Sequence, residues 1–203
     1  MRKGIVSLVS VSALALCAVF VGYRLWDAGK GEVVKKESDE WPDTGVQVGE
    51  FEGVVIYSNG PEVYKSHGKH YSEDGYYYGH QWQCVEFVKR YYYEAKRHRM
   101  PNVWGHAKSY FQVGLDHGAL NEGRGMLQYH NGGDVVPSPG DLLVWNEGPY
   151  GHVAVVSKVN DDSIEVAQQN IKGKPYEILS MTRHGKGIRV GGDQGPAGWL
   201  RLP

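Results

Sequence analysis

An apolar run from Ile5 to Val21, interrupted only by small Ser and Ala residues and preceded by Met1-Arg2-Lys3, sets the first limit on what this chain can fold into. As a helix its 17 residues reach about 25 Å, close to the thinner limit for crossing a bilayer. Continuation through Gly22 and Tyr23 to Leu25-Trp26 lengthens it, and Tyr and Trp favour the membrane interface. A cleaved signal would normally show a shorter core followed by an A-x-A-like site, and Leu14-Ala15-Leu16 before Cys17 is a poor lipoprotein signal. We therefore expect an uncleaved anchor over residues 1–26 rather than a cleaved leader. Arg2 and Lys3 would stay cytoplasmic, so the rest of the chain would be exported. Residues 27–44 are polar and mixed in charge and read as a linker. No repeat of about 20 to 50 residues follows, leaving residues 45–203 as one domain.

Composition removes several function classes. Lys+Arg 22 against Asp+Glu 23 gives a net charge of −1, with no cationic block. Nucleic-acid binding through phosphate neutralisation is thus not expected. Two cysteines cannot build a disulfide scaffold, and Cys17 lies inside the apolar run. Cys84 is then the single thiol of the domain. The 14 Tyr and 6 Trp residues suggest an aromatic-walled cleft, with Trp82, Trp145 and Tyr78 as lining candidates.

Cys84 opens a helical pattern. Val85, Val88, Tyr92 and Ala95 recur at helical spacing, Glu86 and Arg90 form an i,i+4 pair, and Gly79 and Pro101 bound the segment. A helix from Cys84 to about Arg97 puts the thiol in the first turn. There the unpaired N–H groups and the dipole favour a thiolate and can hold an oxyanion. Gln83 is a candidate side-chain donor to that oxyanion. Of nine histidines, His152 has the most suggestive setting. Two apolar runs, Leu142–Trp145 and Val153–Val156, read as a hairpin with His152 at the start of the returning strand. Ser163–Gln168 reads as a third strand, ending beside Gln169-Asn170. His67 and His70 lack a His-Glu-x-x-His pattern or an evident third ligand, so no metal and no cofactor are assigned. Glu86 reads as a solvated or capping charge and Asp141 as turn chemistry.

The order and wording of these segments resemble the CHAP domains, cysteine- and histidine-dependent amidohydrolases and peptidases. Within them the chain looks most like the amidase domain of glutathionylspermidine synthetase/amidase. The resemblance runs from Gly53-Val-Val-Ile-Tyr-Ser58 through Tyr78-Gly-His-Gln-Trp-Gln-Cys-Val-Glu-Phe87 to Gly151-His-Val-Ala154 and Gln168-Gln-Asn170. It implies a papain-like (NlpC/P60-type) α+β fold, with N-terminal helices packed on an antiparallel β-sheet. It also implies Cys84 as nucleophile and His152 as general base and then acid. The family's usual Glu beside the catalytic histidine is Gln168 in this chain. Gln168 is the first candidate to orient the imidazole, and Asn170 the second.

The resulting expectation is a monomeric thiol amidohydrolase held to the inner membrane, its domain outside the cytoplasm in a bacterial envelope. Peptidoglycan peptides are the first substrate class. A glutathione–polyamine amide is the alternative, and a catalytically inactive envelope binding module is the reading from another class, motivated by Gln168.

Overall fold

The computed structural model describes residues 41–172 and 174–203. The expected anchor over 1–26 and the linker as far as residue 40 lie outside the described residues. No helix among the described residues is long and apolar enough to cross a membrane. The last residues of the expected linker are bonded to the domain. Ser58 Oγ donates to the Pro42 carbonyl at 2.7 Å, and Val46 N–H to that of Asp43 at 3.2 Å.

The fold is mostly β. Strands β1 (Gln47–Phe51) and β2 (Val54–Tyr57) form one antiparallel ribbon, and β3 (Lys69–Tyr71) and β4 (Tyr77–His80) another. Helix α1 follows (Cys84–Glu94), then a 3-10 turn at Ala107–Tyr110. The remaining strands are β5 (Leu120–Asn121), β6 (Met126–His130), β7 (Leu142–Trp145), β8 (His152–Val159), β9 (Ser163–Ala167), β10 (Tyr176–His184), β11 (Gly187–Val190) and β12 (Gly198–Arg201). They pair antiparallel into one eight-stranded sheet, ordered β11-β10-β9-β8-β7-β12-β6-β5.

The expected helices packed on a sheet are therefore a correction: α1 is the one α-helix among the described residues, and ribbons stand where other helices were anticipated. Val54-Val55-Ile56-Tyr57 alternates buried and half-buried positions, the period of a strand rather than a helix.

Alternation along β7 and β8 divides the core. Leu142, Val144, Val153 and Val155 face α1 and pack with Phe87, Val88, Tyr91 and Tyr92. Leu143, Ala154 and Val156 face the other way, onto Ile164, Val166 and Trp199. The helix is enclosed well beyond its apolar face. Glu86, read as solvated, is fully buried. It accepts from Arg90 Nε at 2.6 Å and Gln169 Nε2 at 2.7 Å, and bonds His70 Nδ1 at 2.8 Å. Burial opposes its charge, yet these three partners hold the carboxyl below its ordinary range. Lys89, also fully buried, donates to the carbonyls of Tyr77 and Val103.

Candidate active site

The local sequence places the nucleophile candidate through two glycines. Gly79 holds φ +149°, and a Cβ there would lie 3.0 Å from Glu86 Cα, so β4 can run directly against the start of α1. Gly151 holds φ +73°, and a Cβ would lie 2.3 Å from the Trp145 carbonyl and 2.7 Å from the Lys108 amide. Only a bare Cα lets the β7–β8 connection turn back against the 3-10 segment and start β8 at His152. The expected hairpin is present, with Trp145 opposite His152.

Cys84 is the first residue of α1, and its side chain is almost wholly buried. Cys84 and His152 line one cavity of about 740 Å3. The backbone N–H groups of Val153, Val85 and Cys84 act on the sulfur and favour its charged form. Burial outweighs them and pushes the thiol up to about 11. The acidified thiol expected from the helix end is thus corrected: desolvation is the larger effect here. Burial also moves the His152 imidazole below its ordinary value, opposed by the Gln168 hydrogen bond and the Glu177 charge. Both groups rest neutral at pH 7. No hydrogen bond joins the sulfur to the ring in this conformation, a common state of a site without substrate.

The His152 ring is nevertheless held. Nε2 lies 3.0 Å from Gln168 Oε1. The Gln168 amide nitrogen donates to Glu177 Oε2 at 3.0 Å and to the Lys174 carbonyl at 3.3 Å. Both partners are acceptors only, so the amide oxygen faces the imidazole and Nε2 carries the ring proton. Nδ1 keeps its lone pair.

The other candidates are distributed differently. Asn170 does not orient His152. It sits at φ 66°, and its amide nitrogen donates to Val63 O at 2.8 Å and Gln83 Oε1 at 2.9 Å, while the residue lines the cavity. Gln83 occupies the position before α1 without capping it through its side chain. Its amide nitrogen donates to the carbonyls of Lys65 and Val63, so both protons are committed and none is left for an oxyanion. Trp82 packs on Tyr57, with ring centroids 4.1 Å apart, and does not line the cavity. Tyr78 is buried and donates to Glu94 Oε1 at 3.1 Å; its neighbour Tyr77 faces the cleft instead. Trp145 lies in an adjoining depression of about 500 Å3, its ring centroid 5.6 Å from that of His152.

Residues not singled out from sequence complete the cleft. Trp104, Tyr64 and Tyr150 are 61%, 74% and 45% exposed at its rim. The Tyr64 and Tyr150 rings lie 5.4 Å apart and border both depressions. His80, His106 and Lys172 line the larger depression, which has no carboxylate among its described residues. Glu147 and Glu177 line the smaller one, beyond His152. Glycine turns carry several of these side chains, so no periodic sequence signal announces them.

Comparison with known proteins bears on the same segment. Residues 74–170 match the CHAP domain model. The chain is 31% identical over 135 residues to the bifunctional glutathionylspermidine synthetase/amidase of Escherichia coli (strain K12), covering 61% of this chain and 22% of that protein. It is 27% identical over 140 residues to trypanothione synthetase of Crithidia fasciculata, covering 65% and 21%. It is 33% identical over 104 residues to glutathionylspermidine synthase of the same organism, covering 45% and 14%. The chain thus spans about a fifth or less of the length of these relatives. Cys84, His152 and Gln168 all fall inside the segment that is similar to the CHAP domain model.

Proposed function

We propose that this chain is a thiol amidohydrolase working through a Cys-His pair. The CHAP match and the amidase-bearing relatives support amide hydrolysis. The observation that carries the mechanism is the fixed tautomer of His152, whose free Nδ1 belongs to a ring sharing a cavity with Cys84. As substrate enters, Nδ1 takes the thiol proton while the sulfur attacks the amide carbonyl. The backbone N–H groups of Cys84 and Val85, which have no backbone acceptor, suit the oxyanion. The imidazolium then protonates the departing amine, and a water molecule, activated by the same nitrogen, releases the acyl group from sulfur. Gln168 serves as the orienting group, which argues against the inactive-module reading.

The charge layout bears on the substrate. The departing amine leaves on the His152 side, toward Glu147 and Glu177, whereas His80, His106 and Lys172 border the rest of the cleft. An amide with an anionic acyl half and a cationic amine half fits this arrangement. A glutathione–polyamine amide has the cationic amine half and, on its acyl half, one free carboxylate beside an ammonium, and the names of two of the relatives contain glutathionylspermidine. We place it first, reversing the order reached from sequence. A wall peptide is the second reading. It is favoured by the apolar run Ile5–Val21 behind Arg2 and Lys3, which would anchor the chain and export the domain, and by exposed rim aromatics suited to sugar rings.

The test is to incubate the full chain separately with glutathionylspermidine and with purified muropeptides, reading products by mass spectrometry. Release of glutathione and spermidine supports the first reading, and cleaved stem peptide the second. Binding of either without cleavage would instead establish a binding module.

A further inference from the structure

We infer that Glu177 is a positioning residue for His152, acting through the Gln168 amide, so that His152, Gln168 and Glu177 form one chain across β8, β9 and β10. The inference rests on the reading of His152 as the base. Glu177 pairs with Val166 in the β9–β10 ladder, and Gln168 N–H donates to the Pro175 carbonyl. Residues 168 and 177 are therefore diagonal neighbours on one sheet face, within reach of long side chains. The contact is made: Gln168 Nε2 to Glu177 Oε2 is 3.0 Å, and Gln168 Oε1 to His152 Nε2 is 3.0 Å.

Hydrogen-bond inventory fixes the amide's orientation. An amide can face a ring nitrogen with its oxygen or its NH2 group, and the two choices impose opposite tautomers on the ring. Turning the Gln168 amide over would set its oxygen against a carboxylate and a carbonyl, two acceptors. Glu177 thereby selects the orientation that keeps Nε2 protonated and Nδ1 free. Its charge also favours the imidazolium formed when the thiol gives up its proton. The carboxylate that the family resemblance expects at position 168 is supplied one strand further on.

The ionisable groups facing or flanking the ring are Cys84 on α1, His106 before the 3-10 turn, Glu147 in the β7–β8 connection, Lys172 after β9 and Glu177 on β10. Glu177 alone among them bonds the group that bonds the ring.

The experiment follows the His152 imidazole by NMR titration in the full chain, in Glu177→Gln and Glu177→Leu, and in the transposed pair Gln168→Glu with Glu177→Gln. Steady-state kinetics on glutathionylspermidine and on muropeptides accompany it. Glu177→Gln should titrate His152 at lower pH than the parent, and Glu177→Leu should also mix its tautomers. In both, kcat should fall about tenfold to hundredfold with KM held. The transposed pair should recover the titration and most of kcat. Gln168→Glu alone should recover less, because it sets two carboxylates in contact. An unchanged titration in both Glu177 variants would overturn the inference, as would a transposed pair no better than Glu177→Gln. The titration needs no substrate. If it moves as stated while the parent cleaves neither amide, the amidohydrolase reading fails and the Glu177 coupling stands.

Discussion

At Cys84 two familiar influences pull in opposite directions. Helix-end N–H groups favour the thiolate, and burial favours the thiol; with the thiol pushed up to about 11, burial prevails. At pH 7 the free protein then holds this sulfur as the thiol. Alkylation by iodoacetamide should then be slower than that of free cysteine at pH 7 and should climb without levelling up to pH 10. A plateau below pH 8 would show an acidified thiol instead. His152 gives a second prediction with a definite sign. Its folded pKa is lowered, so the unfolded chain binds the extra proton first. The stability due to a neutral ring is complete above the ordinary imidazole range near 6.5 and is lost as pH falls through that range toward the folded value. Urea midpoints at pH 7.5 and 5 should drop further for the parent than for His152→Gln, and equal drops would contradict the shift. Cys84, His152 and Gln168 were legible from sequence because each sits next to a recognisable break, a helix start or a strand end. Glu177 was not, because its link to His152 depends on the β9–β10 register, which neither segment's own pattern specifies.

Among the elements, α1 and the β7–β8 hairpin were legible from apolar spacing, while the resemblance implied N-terminal helices packed on the sheet and ribbons occupy residues 47–80 instead. The reason is physical: the resemblance carried a helical layer, but the short alternating runs between positive-φ glycines suit only strands. The aromatic candidates show the same dependence on period. Tyr77 and Tyr78 are adjacent on β4 and must point to opposite faces, so composition could not choose the one that lines the cleft. Two substitutions test the elements that carry the site. Gly151→Ala places a methyl 2.3 Å from the Trp145 carbonyl at a left-handed φ. It should cost about 1–3 kcal/mol of stability in urea unfolding and lower turnover by displacing His152. Glu86→Ala leaves the Arg90 guanidinium without its carboxylate in the interior beneath the site and removes one of the Gln169 amide's bonds. Removing one member of such a buried pair should cost about 3–5 kcal/mol, read from the urea midpoint. A loss under 1 kcal/mol would mean that Glu86 is solvated after all.

For the molecule as a whole, one sheet supplies His152 on β8, Glu177 on β10 and, directly after β9, Gln168, while one helix delivers Cys84 to the shared cavity. Side-chain chemistry divides across that meeting point, with carboxylates beyond His152 and the Lys172 ammonium with two imidazoles around the remainder of the cleft. Replacing Glu147 by Gln, away from the bonded chain, should raise KM for an amide with a cationic leaving amine more than for a neutral amine of equal length. Equal changes in KM would remove the acidic depression from substrate selection. The central claim is that Cys84 becomes acylated with help from His152. The direct measurement is an acid quench of the full chain during turnover of glutathionylspermidine and, separately, muropeptides, followed by peptide mass analysis. The Cys84 peptide should carry the acyl half of the substrate as a thioester, formed at a rate that collapses in His152→Ala. Undiminished amide cleavage by Cys84→Ala would contradict it.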